Sequence, residues 1–161
     1  MYYLNYFFIM SLIGHFIETF IYADGNSGIL LAPWTPVYGI GTILILLINK
    51  VINKYIKNKY VKIILLFLSS MIILSIIEAM GGYLIEYLFH TTFWDYSDFK
   101  FNIGKYIAVE IAIIWGLCSI LLIYFIKPLI DKIISKIPKY LTYTLLILFI
   151  IDLVLTLIIK R

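Results

Sequence analysis

A chain of 161 residues that is 63% hydrophobic, has a mean hydropathy of +1.03 and carries charge at only 14% of its positions is not a water-soluble domain; such a composition belongs to an integral membrane protein. The net charge of +4 comes mainly from lysines gathered in two short segments between apolar runs. Topology and attraction to anionic lipid explain those lysines, and nucleic-acid binding is not implied. One cysteine, Cys118, and two histidines, His15 and His90, build neither a disulfide framework nor a metal cluster, and no cofactor is expected.

About 20 mainly apolar residues cross a bilayer as a helix. On that criterion five spans are predicted, at 2–23, 37–52, 61–89, 106–126 and 140–159. The first has no lysine or arginine before Lys50 and no small-residue cleavage site behind a short apolar core, so it reads as a retained helix and not a signal peptide. D-G-N-S-G (24–28) and the two prolines of P-W-T-P-V-Y-G-I-G (33–41) stop one helix and start the next. Lys50, Lys54, Lys57, Lys59 and Lys62 separate spans two and three. The stretch T-T-F-W-D-Y-S-D-F-K-F-N (91–102) separates spans three and four. Between Lys127 and Lys139, Leu129, Ile130, Ile133, Ile134 and Ile137 share one helical face, which predicts a short amphipathic helix on the membrane surface or a docking face for a cytosolic partner. The expected fold is therefore an all-α membrane helix bundle of about five transmembrane helices. It forms one domain, 1–161, with a four-helix core (1–126), an amphipathic segment (127–139) and a C-terminal helix (140–161).

Lysines favour the cytoplasmic side of a membrane. The cluster at 50–62 and the cluster Lys127, Lys132, Lys136, Lys139 thus place both of those loops inside, the N-terminus inside, and the 24–36 and 90–105 loops outside. Lys160-Arg161 then fall outside, against the rule. The segments G-H-F-I-E-T-F (14–20) and G-Y-L-I-E-Y-L (82–88) match in register, which suggests two parallel hairpin repeats followed by one further helix.

Carboxylates inside spans are expensive and usually face a bundle interior or a wet path. Glu18, Glu86 and Glu110 each lie near the outer end of a span, and Glu78 lies eight residues before Glu86, about 12 Å deeper. The three outer glutamates are expected to form one acidic layer, with Glu78 extending it inward and His15 pairing with Glu18 on one helix face. Snorkelling toward headgroups or interhelical hydrogen bonding would explain any one of them alone. Trp34, Trp94 and Tyr96 suit an interfacial aromatic belt, but a belt does not account for Asp95, Asp98 and Asn102. Trp94, Asp95, Tyr96 and Ser97 are expected to form an outer lid, with Asn26 and Asn102 joining the two outer loops across the carboxylates.

The segment N-S-G-I-L-L-A-P-W-T-P-V-Y-G-I-G (26–41) is similar to N-R-G-x-L-x-G-P-x-x-P-I-Y-G-x-G. Residues 77–102 resemble E-x-x-x-G-x-x-x-E followed by W-D-Y-S and F-N. These are the signatures of a family of small bacterial membrane proteins, the ABC-transporter type IV or CmpB-like family. The resemblance runs from about Gly14 to Pro128 and places motif positions on Glu18, Asn26, Tyr38, Glu78, Gly82, Glu86, Trp94, Asp95, Tyr96, Ser97, Asn102 and Trp115. Three positions depart from it: Ser27 stands for arginine, Ala32 for glycine, and Lys105 for glycine, with Gly104 one place early. Loss of the arginine removes a counter-charge for the acidic layer and favours protonated or cation-paired glutamates.

The resemblance implies a permease-like transport component of the plasma membrane. The chain has no G-x-x-x-x-G-K-[ST], so ATP hydrolysis would need a separate ATPase at the cytoplasmic face, and five short spans offer enough wall for a pore only in a homo-oligomer or larger complex. Two alternatives stay open. One is a membrane-embedded enzyme acting on lipid or a lipid-linked substrate with Glu18, His15 or Asp95 as base, although no nucleophile, base and orienting group can be recognised together. The other is a structural or regulatory subunit.

Overall fold

The computed structural model describes residues 1–22 and 28–160. The protein is all-helical, as the composition requires: α1 Tyr2–Tyr22, α2 Pro36–Tyr55, α3 Lys59–Phe89, α4 Val109–Leu121, α5 Lys127–Ile134 and α6 Lys139–Ile159. Among the described residues, strand-like pairing is confined to a bridge between Asn102 and Ala108. Among the described residues, four helical runs are long and apolar enough to cross a membrane: Pro36–Tyr55, Lys59–Phe89, Val109–Ile134 and Lys139–Ile159. α1, at 21 residues, is about 30 Å long, the thickness of a hydrocarbon core.

Local chemistry sets the helix ends. Pro36 opens α2, where its missing N–H costs nothing. Asn58 caps α3 by accepting the N–H groups of Tyr60 and Val61 at 2.9 and 3.3 Å. His90 closes α3 in the left-handed conformation, φ 53°, with its N–H on Glu86 O.

The Val109–Ile134 run, expected at 106–126, departs from the sequence expectation at both ends. It starts at Val109 because the residues before it are held in an irregular loop, with Ile103 N on Ile107 O at 2.8 Å and Val109 N on Phe101 O at 3.0 Å. It also continues into the amphipathic segment without a break, through a π turn at Leu122–Ile126 closed by Lys127 N on Leu122 O. Pro128 gives the reason: a proline within an α-helix lacks a donor and its ring clashes with the carbonyl four residues back, and a π turn widens the backbone just ahead of it.

The chain clusters into two compact units, Met1–Ile40 with Ile130–Arg161, and Gly41–Leu129. In the first, α5 and α6 are stitched to α1 and to the segment after it by polar contacts. Thr142 Oγ1 donates to Asn5 Oδ1 at 2.7 Å, and Tyr2 and Tyr6 both donate to Asp131 Oδ1 at 2.8 Å. Asp152, buried in α6, accepts the N–H groups of Leu31 and Ala32 at 3.1 and 3.2 Å. Edge-to-face contacts of Phe149 with Phe7, Phe8 and Trp34 fill the space between. In the second unit α3 packs on α4 along a stripe that includes Leu66, Ser70, Leu74, Ser75, Glu78, Ala79 and Gly82, a helical spacing with small residues at the contact. Gly116 on α4 leaves room for the ring of Phe67; a Cβ there would stand 2.6 Å from it.

Candidate functional site

The second unit gathers most of the ionisable residues singled out in the sequence. Glu78 falls on the buried stripe of α3, while Glu86, two turns on, is half-buried near its end. The connection from α3 to α4 folds back over them. Asp95 Oδ1 accepts Ser97 N–H at 2.8 Å in an Asx turn. Phe99 N bonds Tyr96 O at 3.0 Å, and Gly104 adopts φ +68°, a conformation that suits glycine. The result presents Tyr96, Lys105 and Tyr106 toward α3.

Each glutamate is engaged by this connection. Glu78 accepts the Tyr96 hydroxyl at 2.6 Å on one oxygen and the Trp115 Nε1–H of α4 at 2.7 Å on the other. Glu86 accepts the Lys105 ammonium at 2.7 Å and the Tyr106 hydroxyl at 2.8 Å. Lys105 also donates to Thr92 Oγ1 at 2.9 Å. Glu110 Oε1 accepts Phe101 N–H at 3.2 Å, and its buried Oε2 has no partner. The groups that face Glu78 and Glu86 are tied to one another, since Tyr96 N donates to Lys105 O at 2.8 Å. Electrostatically the two α3 carboxylates differ: Glu78 is held by neutral donors, whereas Glu86 is paired with a cation. Proximity of Glu86 holds the Lys105 ammonium above the usual lysine value, and the Ser97 hydroxyl and N–H hold the Asp95 carboxyl below its usual range.

The remaining expected residues distribute as follows. Trp94 is half-buried, its ring 5.9 Å from that of Tyr106, and its buried Nε1 is unpartnered. Asn102 is exposed and donates to Gly104 O at 3.2 Å. Asn26 lies outside the described residues. Glu18 and His15 belong to the first unit, where Glu18 accepts from Thr35 Oγ1 at 3.4 Å and the His15 carbonyl accepts from Thr19 Oγ1 at 2.8 Å. Among the described residues no group of three or more His, Cys, Asp or Glu is placed to hold a metal ion.

Three contributors escaped sequence reasoning. Lys105 stands where the signature carries glycine, and its ammonium supplies Glu86 with a counter-charge. Tyr106 reaches Glu86 because Gly82 has no side chain: a Cβ there would meet the ring at 2.6 Å. Tyr38 occupies the same relation to Gly14, whose Cβ would meet the Tyr38 ring. The signal was available, since Gly14 and Gly82, Glu18 and Glu86, and Tyr38 and Tyr106 are each separated by 68 positions. The echo at 14–20 and 82–88 is thus accompanied in each unit by a tyrosine ring laid against the glycine. The third contributor is Asp152, whose role depends on backbone donors about 120 residues away.

Apolar spans and loop-covered carboxylates define a multi-helix membrane protein. The chain belongs to the family described as Putative ABC-transporter type IV, whose profile matches residues 5–157. That match extends past the 14–128 region carrying the signatures and into α6. No curated protein and no solved structure matches the chain.

Proposed function

We propose that the protein is a permease-like membrane component of a transport complex. Its carboxylates Glu78, Glu86 and Glu110, all within the unit Gly41–Leu129, form a site for an ammonium or other cationic group. The loop carrying Trp94, Asp95, Tyr96, Ser97 and Asn102 is its lid. The observation that supports this most directly is the Lys105 ammonium on Glu86 at 2.7 Å: a primary amine already occupies a carboxylate near the end of a span, as a cationic substrate would. Opening the lid requires a competing cation, or a proton, to replace the loop's own donors at Glu86 and Glu78. Family membership supports the transport assignment. Lysine-rich segments at 50–62 and 127–139 support a plasma-membrane orientation with the N-terminus in the cytoplasm. A separate ATPase docks on that face, and a homo-oligomer or larger assembly completes the pathway.

The test is a thermal-shift titration of the full-length protein in mild detergent with a panel of mono-, di- and polyamines. Lys105→Ala vacates Glu86 and is expected to raise amine-dependent stabilisation; Lys105→Ala combined with Glu86→Gln abolishes it. Absence of any amine or cation effect in Lys105→Ala removes the binding reading. It would favour the structural one, in which the same hydrogen bonds serve only to fix the loop. Affinity purification in the same detergent, followed by mass spectrometry, tests the ATPase: stoichiometric recovery supports it, and a clean homo-oligomer points to an autonomous carrier.

A further inference from the structure

We infer that the turn joining α2 to α3 is a binding site for anionic phospholipid, held through the lipid phosphate. Lys50, Lys54, Lys57, Lys59 and Lys62 fall within 13 residues, and no Asp or Glu occurs from position 25 to position 77. In the unit Gly41–Leu129 every carboxylate lies between Glu78 and Glu110, so none stands near the turn in sequence. Four of the five lysines are exposed and Lys62 is half-buried; none forms an ion pair among the described residues.

The local electrostatics are unfavourable without an external anion. Lys50 and Lys54 are four apart on α2, a like-charge pair on one helix face. Lys59 and Lys62 occupy the first turn of α3, which has no acidic residue, at the positive end of the helix dipole where an anion is favoured. Asn58 satisfies the backbone donors of Tyr60 and Val61, so the charge a ligand meets comes from side chains.

Geometry supplies the depth. Only Ile56, Lys57 and Asn58 separate the two helices, and both are candidate spans, which fixes the lysines at a membrane surface. Tyr55 and Tyr60, 70% and 75% exposed, flank the turn, with Lys54 Nζ 5.1 Å above the Tyr55 ring; such rings settle at headgroup level. A net-negative headgroup is preferred over a zwitterionic one, because the choline cation is repelled by the same lysines. The second basic segment differs, since Asp131 lies within it and is held by Tyr2 and Tyr6.

The experiment is native mass spectrometry of delipidated full-length protein in detergent, titrated with phosphatidylglycerol or phosphatidylcholine at low and high salt. Retention of phosphatidylglycerol is expected to exceed that of phosphatidylcholine by about tenfold at low salt and to fall as salt rises. Each single Lys→Gln change lowers that ratio about twofold. Lys54→Gln, Lys57→Gln, Lys59→Gln and Lys62→Gln combined remove the preference, the four Lys→Arg changes keep it, and Lys100→Gln in the α3–α4 connection leaves it unchanged. A ratio near one for the wild-type protein overturns the proposal even if the glutamine variant inserts poorly. Equal retention by the glutamine variant overturns it too, as does loss of a co-purifying protein from that variant with lipid retention intact, which assigns the surface to a protein. None of these variants touches the α3 carboxylates, so the result is independent of the transport reading.

Discussion

Gly82 and its neighbour Gly81 make a direct comparison at the level of single atoms. A Cβ at Gly82 meets the Tyr106 ring at 2.6 Å, whereas at Gly81 the nearest atom is Trp94 Cη2 at 3.8 Å. Gly82→Ala is therefore expected to destabilise by about 1–3 kcal/mol through overpacking and to free Tyr106 from Glu86. Gly81→Ala is expected to be neutral or to stabilise by up to about 1 kcal/mol, by removing a flexible residue from a helix. Thermal unfolding in detergent distinguishes them, and equal losses would refute the contact. The loop's pH response follows from Asp95 and Lys105. Asp95 has a lowered folded value, so its contribution is present above the ordinary aspartate range and is lost as pH falls through the folded value. Lys105 has a raised one, so its contribution is present below the ordinary lysine value and is lost as pH rises through the folded value. These two groups leave the loop unchanged between about pH 5 and pH 9. Hydrogen exchange at the Ser97 and Tyr96 amides, corrected for intrinsic rates, checks this. A transition inside that window that survives Asp95→Asn and Lys105→Gln would have to arise from another group.

The helices were legible because apolar runs of bilayer length leave few choices: predicted 37–52 became Pro36–Tyr55, 61–89 became Lys59–Phe89 and 140–159 became Lys139–Ile159. The glutamates were legible as exceptions within those runs, but their partners were not. Glu78 finds Trp115 37 residues away, and which donors an irregular loop presents depends on its turns, not on periodicity. The π turn was hidden for a related reason, since one extra residue per turn leaves no compositional trace beyond Pro128. Asp152 carries the clearest element-scale prediction. It joins α6 to the segment before α2 through two backbone donors, Leu31 and Ala32. Asp152→Leu strands them and is expected to cost about 1–3 kcal/mol per N–H, while Asp152→Asn keeps one acceptor and costs less. Denaturant titration should rank the two variants in that order, and a neutral Asp152→Leu would show that α6 docks by apolar packing alone.

For the whole molecule, the orientation inferred from lysine placement predicts opposite exposure of the two connections described in most detail. In a Cys118→Ser background, Ser97→Cys is expected to react with an impermeant maleimide on intact cells and Lys57→Cys only after permeabilisation; the reverse pattern inverts the topology. The division into units has a consequence for biosynthesis. One unit is contiguous in sequence, Gly41–Leu129, while the other joins Met1–Ile40 to Ile130–Arg161. At a synthesis rate of about 5–20 residues per second, the Leu31 and Ala32 amides wait roughly 6–24 s for Asp152, which follows them by about 120 residues. The middle of the chain can settle while its beginning is still incomplete, so a ribosome that stalls before α6 leaves a finished inner half and an N-terminal helix still lacking the partner that pairs those amides.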